Sequence, residues 1–119
     1  MNEVTNIDLV ILNNAAFKAT VELSEGETPL DLSGYSLKMQ CRPGVRSSTT
    51  YFELSSEADG GIVVTPFEGK FEMSMPASTT STFEFLDGVY DVIATDSDGK
   101  TKRLIEGNVY IDFGATRIS

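Results

Sequence analysis

A few residues of this chain could do chemistry, and their spacing limits how far each can go. Asp96-Ser97-Asp98-Gly99 opens like a calcium-binding loop, with two carboxylates two residues apart and a glycine for the turn. A loop of about twelve residues of that kind needs another oxygen at its fifth position and a bidentate carboxylate at its last. Lys100 and Gly107 stand at those places, so the stretch reads as a hairpin turn. Glu25, Glu27 and Asp31 could gather around a cation, but their spacing fits no defined geometry and a solvated loop is expected. The chain has no histidine and one cysteine, Cys41. The usual general base, the commonest metal ligand and every histidine-containing triad are thereby gone. Cys41 falls in phase with Leu37 and Met39, so a buried structural thiol is expected rather than a nucleophile. A lone cysteine also forms no intrachain disulfide and leaves the redox compartment open.

Tyr90 follows Asp87-Gly88 at the start of a strand. Immunoglobulin-like sandwiches place a tyrosine corner there, its hydroxyl bonding backbone a few residues upstream. A structural role is expected for it. Eighteen Asp and Glu residues offer carboxylate pairs of the glycosidase kind, but so many that no pair stands out. No phosphate-binding loop, GxSxG elbow or metal-spaced cluster occurs. The expectation is a protein that is not an enzyme, with no catalytic residue, cofactor or metal.

The elements that hold these residues are short. With 119 residues the chain is expected to form one domain, 1–119, able to bury a core without metal or disulfide help. Its hydrophobic content of 40% is ordinary for a globular protein. The longest apolar run, Leu9-Val10-Ile11-Leu12, is strand-sized and far short of a membrane span. No basic flank precedes an apolar region at the N-terminus, so no secretory signal is read and the mature chain is expected to start near Met1. A net charge of −9 argues against a nucleic-acid partner. It fits solubility, or an acidic surface meeting a basic partner. The cations fall in two stretches, Lys38, Arg42 and Arg46, then Lys100, Lys102 and Arg103. Together these could make a local positive face for neighbouring subunits, although scattered solvated charges are the simpler reading.

Alternation marks the strands. Phe17, Ala19, Val21 and Leu23 alternate with Lys18, Thr20 and Glu22, which predicts a half-exposed strand. Leu37, Met39 and Cys41 do the same, as do Phe71, Met73 and Met75, and then Tyr90, Val92 and Ala94. Phe52 with Leu54, and Ile62 to Val64, mark shorter strands. A last long strand runs from about Thr101 to Phe113, with a bulge expected at Gly107 because Leu104 is out of phase with Val109, Ile111 and Phe113. Pro76 ends the Phe71 strand, and Ala77 to Phe85 is expected to cross from one sheet to the other. Its first part is the only helix candidate, a turn or two at most. The first strand, Ile7 to Leu12, is apolar on both sides, and the cover for its second side could be this chain or a neighbour. The fold class read from this pattern is all-β: an antiparallel immunoglobulin-like β-sandwich of about 7–9 strands, with an up-and-down barrel as the alternative.

Several segments together resemble a known family. They are Phe17-Lys18-Ala19-Thr20-Val21-Glu22-Leu23, Pro29-Leu30-Asp31-Leu32-Ser33-Gly34-Tyr35, Gly69-Lys70-Phe71, Leu86-Asp87-Gly88-Val89-Tyr90-Asp91-Val92 and Arg103-Leu104-Ile105-Glu106-Gly107-Asn108-Val109. Over about Ala15 to Phe113 the chain resembles small β-sandwich virion proteins of tailed bacteriophages and prophages. It is also similar to the N-terminal domain of upper baseplate proteins. It stops at Ser119, without the coiled linker and receptor-binding domain of that pattern. The resemblance implies a virion structural subunit assembled in the host bacterial cytoplasm, an adaptor or connector at tail, baseplate or neck. A capsid decoration protein, or a carbohydrate-binding or adhesin-like sandwich, is the alternative. Implied partners are other virion proteins and further copies of the chain, with no nucleic acid and no membrane. A subunit of this kind needs edge strands or apolar faces that a neighbour completes. The candidates are Ile7, Leu9, Val10, Ile11 and Leu12 on the first strand, Arg42 and Arg46 beside the Val45–Thr50 loop, and Arg117 and Ile118 in the tail. Tyr51 and Tyr110 are the tyrosine rings expected at the surface, the protein having no Trp.

Overall fold

The computed structural model describes residues 4–114. Eleven strands follow the chain: β1 (Thr5–Asn6), β2 (Leu9–Leu12), β3 (Phe17–Glu22), β4 (Ser24–Glu25), β5 (Thr28–Pro29), β6 (Ser36–Arg42), β7 (Phe52–Ser55), β8 (Ile62–Thr65), β9 (Lys70–Met75), β10 (Asp87–Thr95) and β11 (Thr101–Asp112). The single-turn helix α1 (Ala77–Thr80) follows β9, and a 3₁₀ turn at Pro66–Glu68 precedes it. The larger sheet has the order β1-β11-β10-β6-β7, with β2 also on β11, and the smaller sheet has the order β3-β9-β8. A two-stranded ribbon, β4-β5, stands apart. A sheet of last, penultimate and middle strands facing a three-stranded sheet built from the strands between them is the immunoglobulin-like sandwich arrangement. The fold class read from the sequence is therefore the one adopted.

Alternation puts one face of each sheet into the core. Leu37, Met39 and Cys41 of β6, Tyr90, Val92 and Ala94 of β10, and Ile105, Val109 and Ile111 of β11 are buried. Phe17 and Val21 of β3 and Phe71, Met73 and Met75 of β9 face them from the other sheet. Each buried Val, Leu, Ile, Phe or Met side chain among them contributes on the order of 1.5–3 kcal/mol by leaving water. Pro76 ends β9, and α1 begins the crossover to β10, as the sequence predicts. Phe83 and Phe85 of that crossover close one end of the core: Phe83 stacks on Phe52 at 4.9 Å and Phe85 on Tyr51 at 3.9 Å between centroids. The buried Thr80 hydroxyl donates to the Ala15 carbonyl at 2.7 Å, tying the crossover to the β2–β3 turn.

Four details differ from the sequence expectation. The sandwich is not wholly antiparallel, because β1 and β2 both run parallel to β11. The first strand is also broken: Ile7 and Asp8 separate its two halves, and of the Ile7 peptide groups the N–H still bonds β11, at the Glu106 carbonyl. The bulge lies at Leu104, because Val92 pairs with Ile105 and Ile93 with Arg103. The extra residue lets both Leu104 and Ile105 turn inward, and both are buried. Gly107 pairs regularly with Tyr90. What makes it glycine is the chain crossing over it: a Cβ there would run into the Ile7 carbonyl group. Lastly, Tyr90 is no tyrosine corner. Its hydroxyl donates to the carbonyl of Ile7 at 2.5 Å, 83 residues away in sequence, and so holds the break between β1 and β2 against the sheet.

Candidate functional site

The β2 end of the large sheet is where chemistry and packing disagree. Leu9 and Ile11 point inward and are buried, whereas Val10 and Leu12 point outward and are 59% and 52% exposed. In register, Val10 sits beside Tyr110 and Leu12 beside Asp112. Tyr110 is itself 44% exposed and pairs on its other side with Asp87. The result is an outward strip of Val10, Leu12 and Tyr110 bounded by Asp87 and Asp112. Asp8 stands at the near end, its carboxylate accepting from the Asn108 backbone N–H at 2.9 Å.

The strip lies on an open strand edge. Ile7 donates its N–H to the Glu106 carbonyl at 2.9 Å and Asn13 donates to Asp112 at 2.8 Å. In a parallel ladder the alternate residues turn their peptide groups the same way. Leu9 and Ile11 therefore face β11, and the N–H and C=O of Val10 face away from it. Edge strands of soluble proteins are blunted by charge, proline or a bulge. Leu-Val-Ile-Leu has none of these.

The other candidates fall elsewhere. Arg42 is on the outer face of β6, three strands from β2, where its guanidinium donates to the carbonyls of Ser47 at 3.0 Å and Thr49 at 3.4 Å and to the Gln40 side chain at 2.7 Å. It organises the Val45–Thr50 loop. Arg46 is exposed on that loop next to Val45, which is 86% exposed. Arg117 and Ile118 lie outside the described residues. The two cationic stretches do not make a positive face: Arg103 pairs with Asp91 at 3.3 Å and Glu106 at 3.0 Å, and Lys102 lies over the Tyr35 ring. A shallow hollow of about 410 Å³ on this face, lined by Gln40, Arg42, Asp91, Arg103 and Glu106 among others, thus mixes both signs.

The residues weighed for chemistry have structural partners. The Asp96 carboxylate accepts from the backbone of Asp98 and Lys100, both at 2.9 Å, which is the hairpin geometry. Cys41 is fully buried, and burial pushes its thiol up to about 12, leaving it a poor nucleophile. Burial, with the Asp8 charge adding to it, pushes the Tyr90 hydroxyl well above the ordinary tyrosine range. Among the described residues no group of three or more Cys, Asp or Glu is placed to hold a metal ion, and no helix is long and apolar enough to cross a membrane. Tyr51, expected at the surface, is half-buried against Phe85. Phe67, 75% exposed on the 3₁₀ turn, went unmarked in the sequence, since a ring inside a Pro-Phe-Glu-Gly turn carries no periodicity.

No family model matches the chain, and no curated protein does. Among solved structures it is similar to extracellular domains 3–5 of Drosophila OTK, at 12% identity and a TM-score of 0.37 over 87% of this chain and 32% of that one. It is also similar to a chain from a study of multimeric cell-adhesive interactions of VGSC beta subunits, at 9% identity and a TM-score of 0.41 over 98% and 100%. The chain spans about a third of the OTK fragment. Likenesses this distant carry nothing about what the chain does.

Proposed function

We propose that this chain is a non-enzymatic assembly module that docks protein against the β2 edge, serving as an adaptor or connector subunit of a tailed-bacteriophage virion. The observation that carries the docking is the exposure of Val10 and Leu12 on a strand whose other face is core. Two large aliphatic side chains beside an open backbone edge stay in water only until a neighbour covers them. The virion setting comes from the resemblance of the Pro29–Tyr35 and Arg103–Val109 segments to phage sandwich proteins. A sugar-binding reading has less support, because a sugar platform needs neighbouring exposed rings: Tyr51 is committed to Phe85, and the exposed Phe67 and Tyr110 belong to different sheets.

The test is mass spectrometry of purified particles from the source of the gene, with antibody labelling in the electron microscope, on the native chain and on a Val10→Asp, Leu12→Asp double variant. Many copies per particle with the native chain, lost in the double variant, is the expected result. Label on the capsid shell would move the subunit to a decoration role. Absence of the native chain from particles overturns the virion role, and unchanged incorporation of the double variant overturns docking at β2.

A further inference from the structure

The ladder and the side-chain ties of the segment 5–12 run to the far end of the chain. β1 and β2 lie on β11. The Ile7 N–H donates to the Glu106 carbonyl, the Tyr90 hydroxyl donates to the Ile7 carbonyl, and the Asp8 carboxylate accepts from the Asn108 N–H. β3, which follows the segment, pairs with β9 alone. A second copy of the chain offers the same β10 and β11, and the same core for Leu9 and Ile11. The turn 13–16 alone decides on which copy's β11 the segment lies.

That turn is lightly held. Asn14 sits in the left-handed region at φ 68, which Asn enters more readily than most residues but still at a cost. The Ala15 N–H reaches the Leu12 carbonyl at 3.3 Å, long for such a bond. The firmer ties are at the two ends, the Asn13 side-chain amide on the Thr80 carbonyl at 2.8 Å and the Thr80 hydroxyl on the Ala15 carbonyl. The chain therefore straightens most readily at Asn14. Short hinge loops under strain favour exchange of the element they carry, and exchange is a low-cost route to a dimer. We infer that two copies of this chain exchange the segment 5–12, each laying its β1 and β2 on the β11 of the other once the turn opens. Straightened, 13–16 reaches about 13 Å, more than the roughly 10 Å between packed sheets. Leu86 gives the copies an apolar contact at this end of the sheet: its carbonyl accepts from the Ile111 N–H at 2.9 Å, and its side chain is 72% exposed. The exchange is independent of docking at the outer edge of β2. Val10 and Leu12 of one copy then lie beside Tyr110 and Asp112 of the other, and the strip is kept.

The test puts the two halves of one contact on separate chains. Val10 and Tyr110 are register partners. Val10→Cys on one chain and Tyr110→Cys on another, both also carrying Cys41→Ala, form a disulfide only when a segment has crossed between copies. The two variants are unfolded in urea, mixed at high concentration, refolded and oxidised. Non-reducing gels should show a covalent dimer from the mixture and none from either variant by itself. Adding Asn14→Val to both chains makes the left-handed turn costlier. It should tighten the dimer in sedimentation about a hundredfold, tenfold for each of its two turns, and Asn14→Gly should loosen it. A merely structural role for Asn14 would lower stability in Asn14→Val without adding cross-link. No mixed disulfide, with circular dichroism showing both variants folded, overturns the exchange. A disulfide that forms as readily from Val10→Cys alone means that copies meet edge to edge at β2, where Val10 of one lies two strands from Tyr110 of the other, and overturns it too. A mixed disulfide that neither Asn14 substitution alters overturns the turn 13–16 as the hinge.

Discussion

The β2 edge and the β3 edge lie on the same side of the sandwich, joined by the short turn 13–16, and they are built to opposite rules. β3 buries Phe17 and Val21 and turns Lys18, Thr20 and Glu22 to water, and Lys18 lies 4.0 Å from Glu72 on the next strand. Charges on an edge make strand addition costly, which keeps that edge single. β2 turns Val10 and Leu12 outward and has no charge along its length. Two edges of one small protein, exposed to the same solvent, thus differ in whether they resist a neighbour. The difference supports the proposed docking edge better than any single residue does.

The comparison can be broken most severely at Gly107. A side chain there collides with the Ile7 carbonyl, so Gly107→Val should push β1 and β2 off β11 and cost on the order of 3 kcal/mol. Urea unfolding measures the loss, and hydrogen exchange should show β2 amides opening while β3 stays protected. Equal opening at both edges would mean that β2 is held by the core alone. Tyr90→Phe is the milder version. It leaves the Ile7 carbonyl without its donor, and about 1–2 kcal/mol should go, again with faster exchange at β2 than at β3.

Alkaline pH should act on the same tie. Tyr90 and Cys41 both hold their protons more tightly in the fold than their ordinary values of 10.0 and 9.0. In the unfolded chain they ionise first, so above pH 9 the unfolded state binds fewer protons and stability falls as pH rises. The slope reaches about 1.4 kcal/mol per pH unit for each group, and for Cys41 it runs up to about 12. Denaturation midpoints between pH 8 and 11 should decline, and Cys41→Ala should flatten the first part of the decline. Lys18→Ala is the smallest perturbation. An exposed pair at 4.0 Å is worth less than about 0.5 kcal/mol, so unfolding should hardly change. Should β3 then begin to pair between molecules, charge alone was guarding it.

The half-exposed strands were legible because alternation records burial directly: β3, β6, β9 and β10 follow their patterns residue by residue. Cys41 and the Ala77–Phe85 crossover could be placed for the same reason. Partner identity is not written in periodicity. The Ile7–Leu12 pattern announces a strand apolar on both faces, but nothing local says that it runs parallel to residues about a hundred positions later. The Leu104 bulge and the Tyr90–Ile7 bond escaped for that reason, since each depends on what lies alongside. The exposure of Val10 and Leu12 was readable from the missing polar face of that strand. A charge count does not show that the Arg42 guanidinium bonds the Ser47 and Thr49 carbonyls.

The parallel pairing of Thr5 with Ile105 also sets a clock. On the ribosome the first strand of this sandwich is made long before its partner strand emerges. At about 5–20 residues per second, the intervening chain takes roughly 5–20 s to synthesise. For that interval Leu9-Val10-Ile11-Leu12 has no ladder to join and is open on both edges. On a polysome, where nascent copies grow side by side, that is a window for exchanging the first strand between chains.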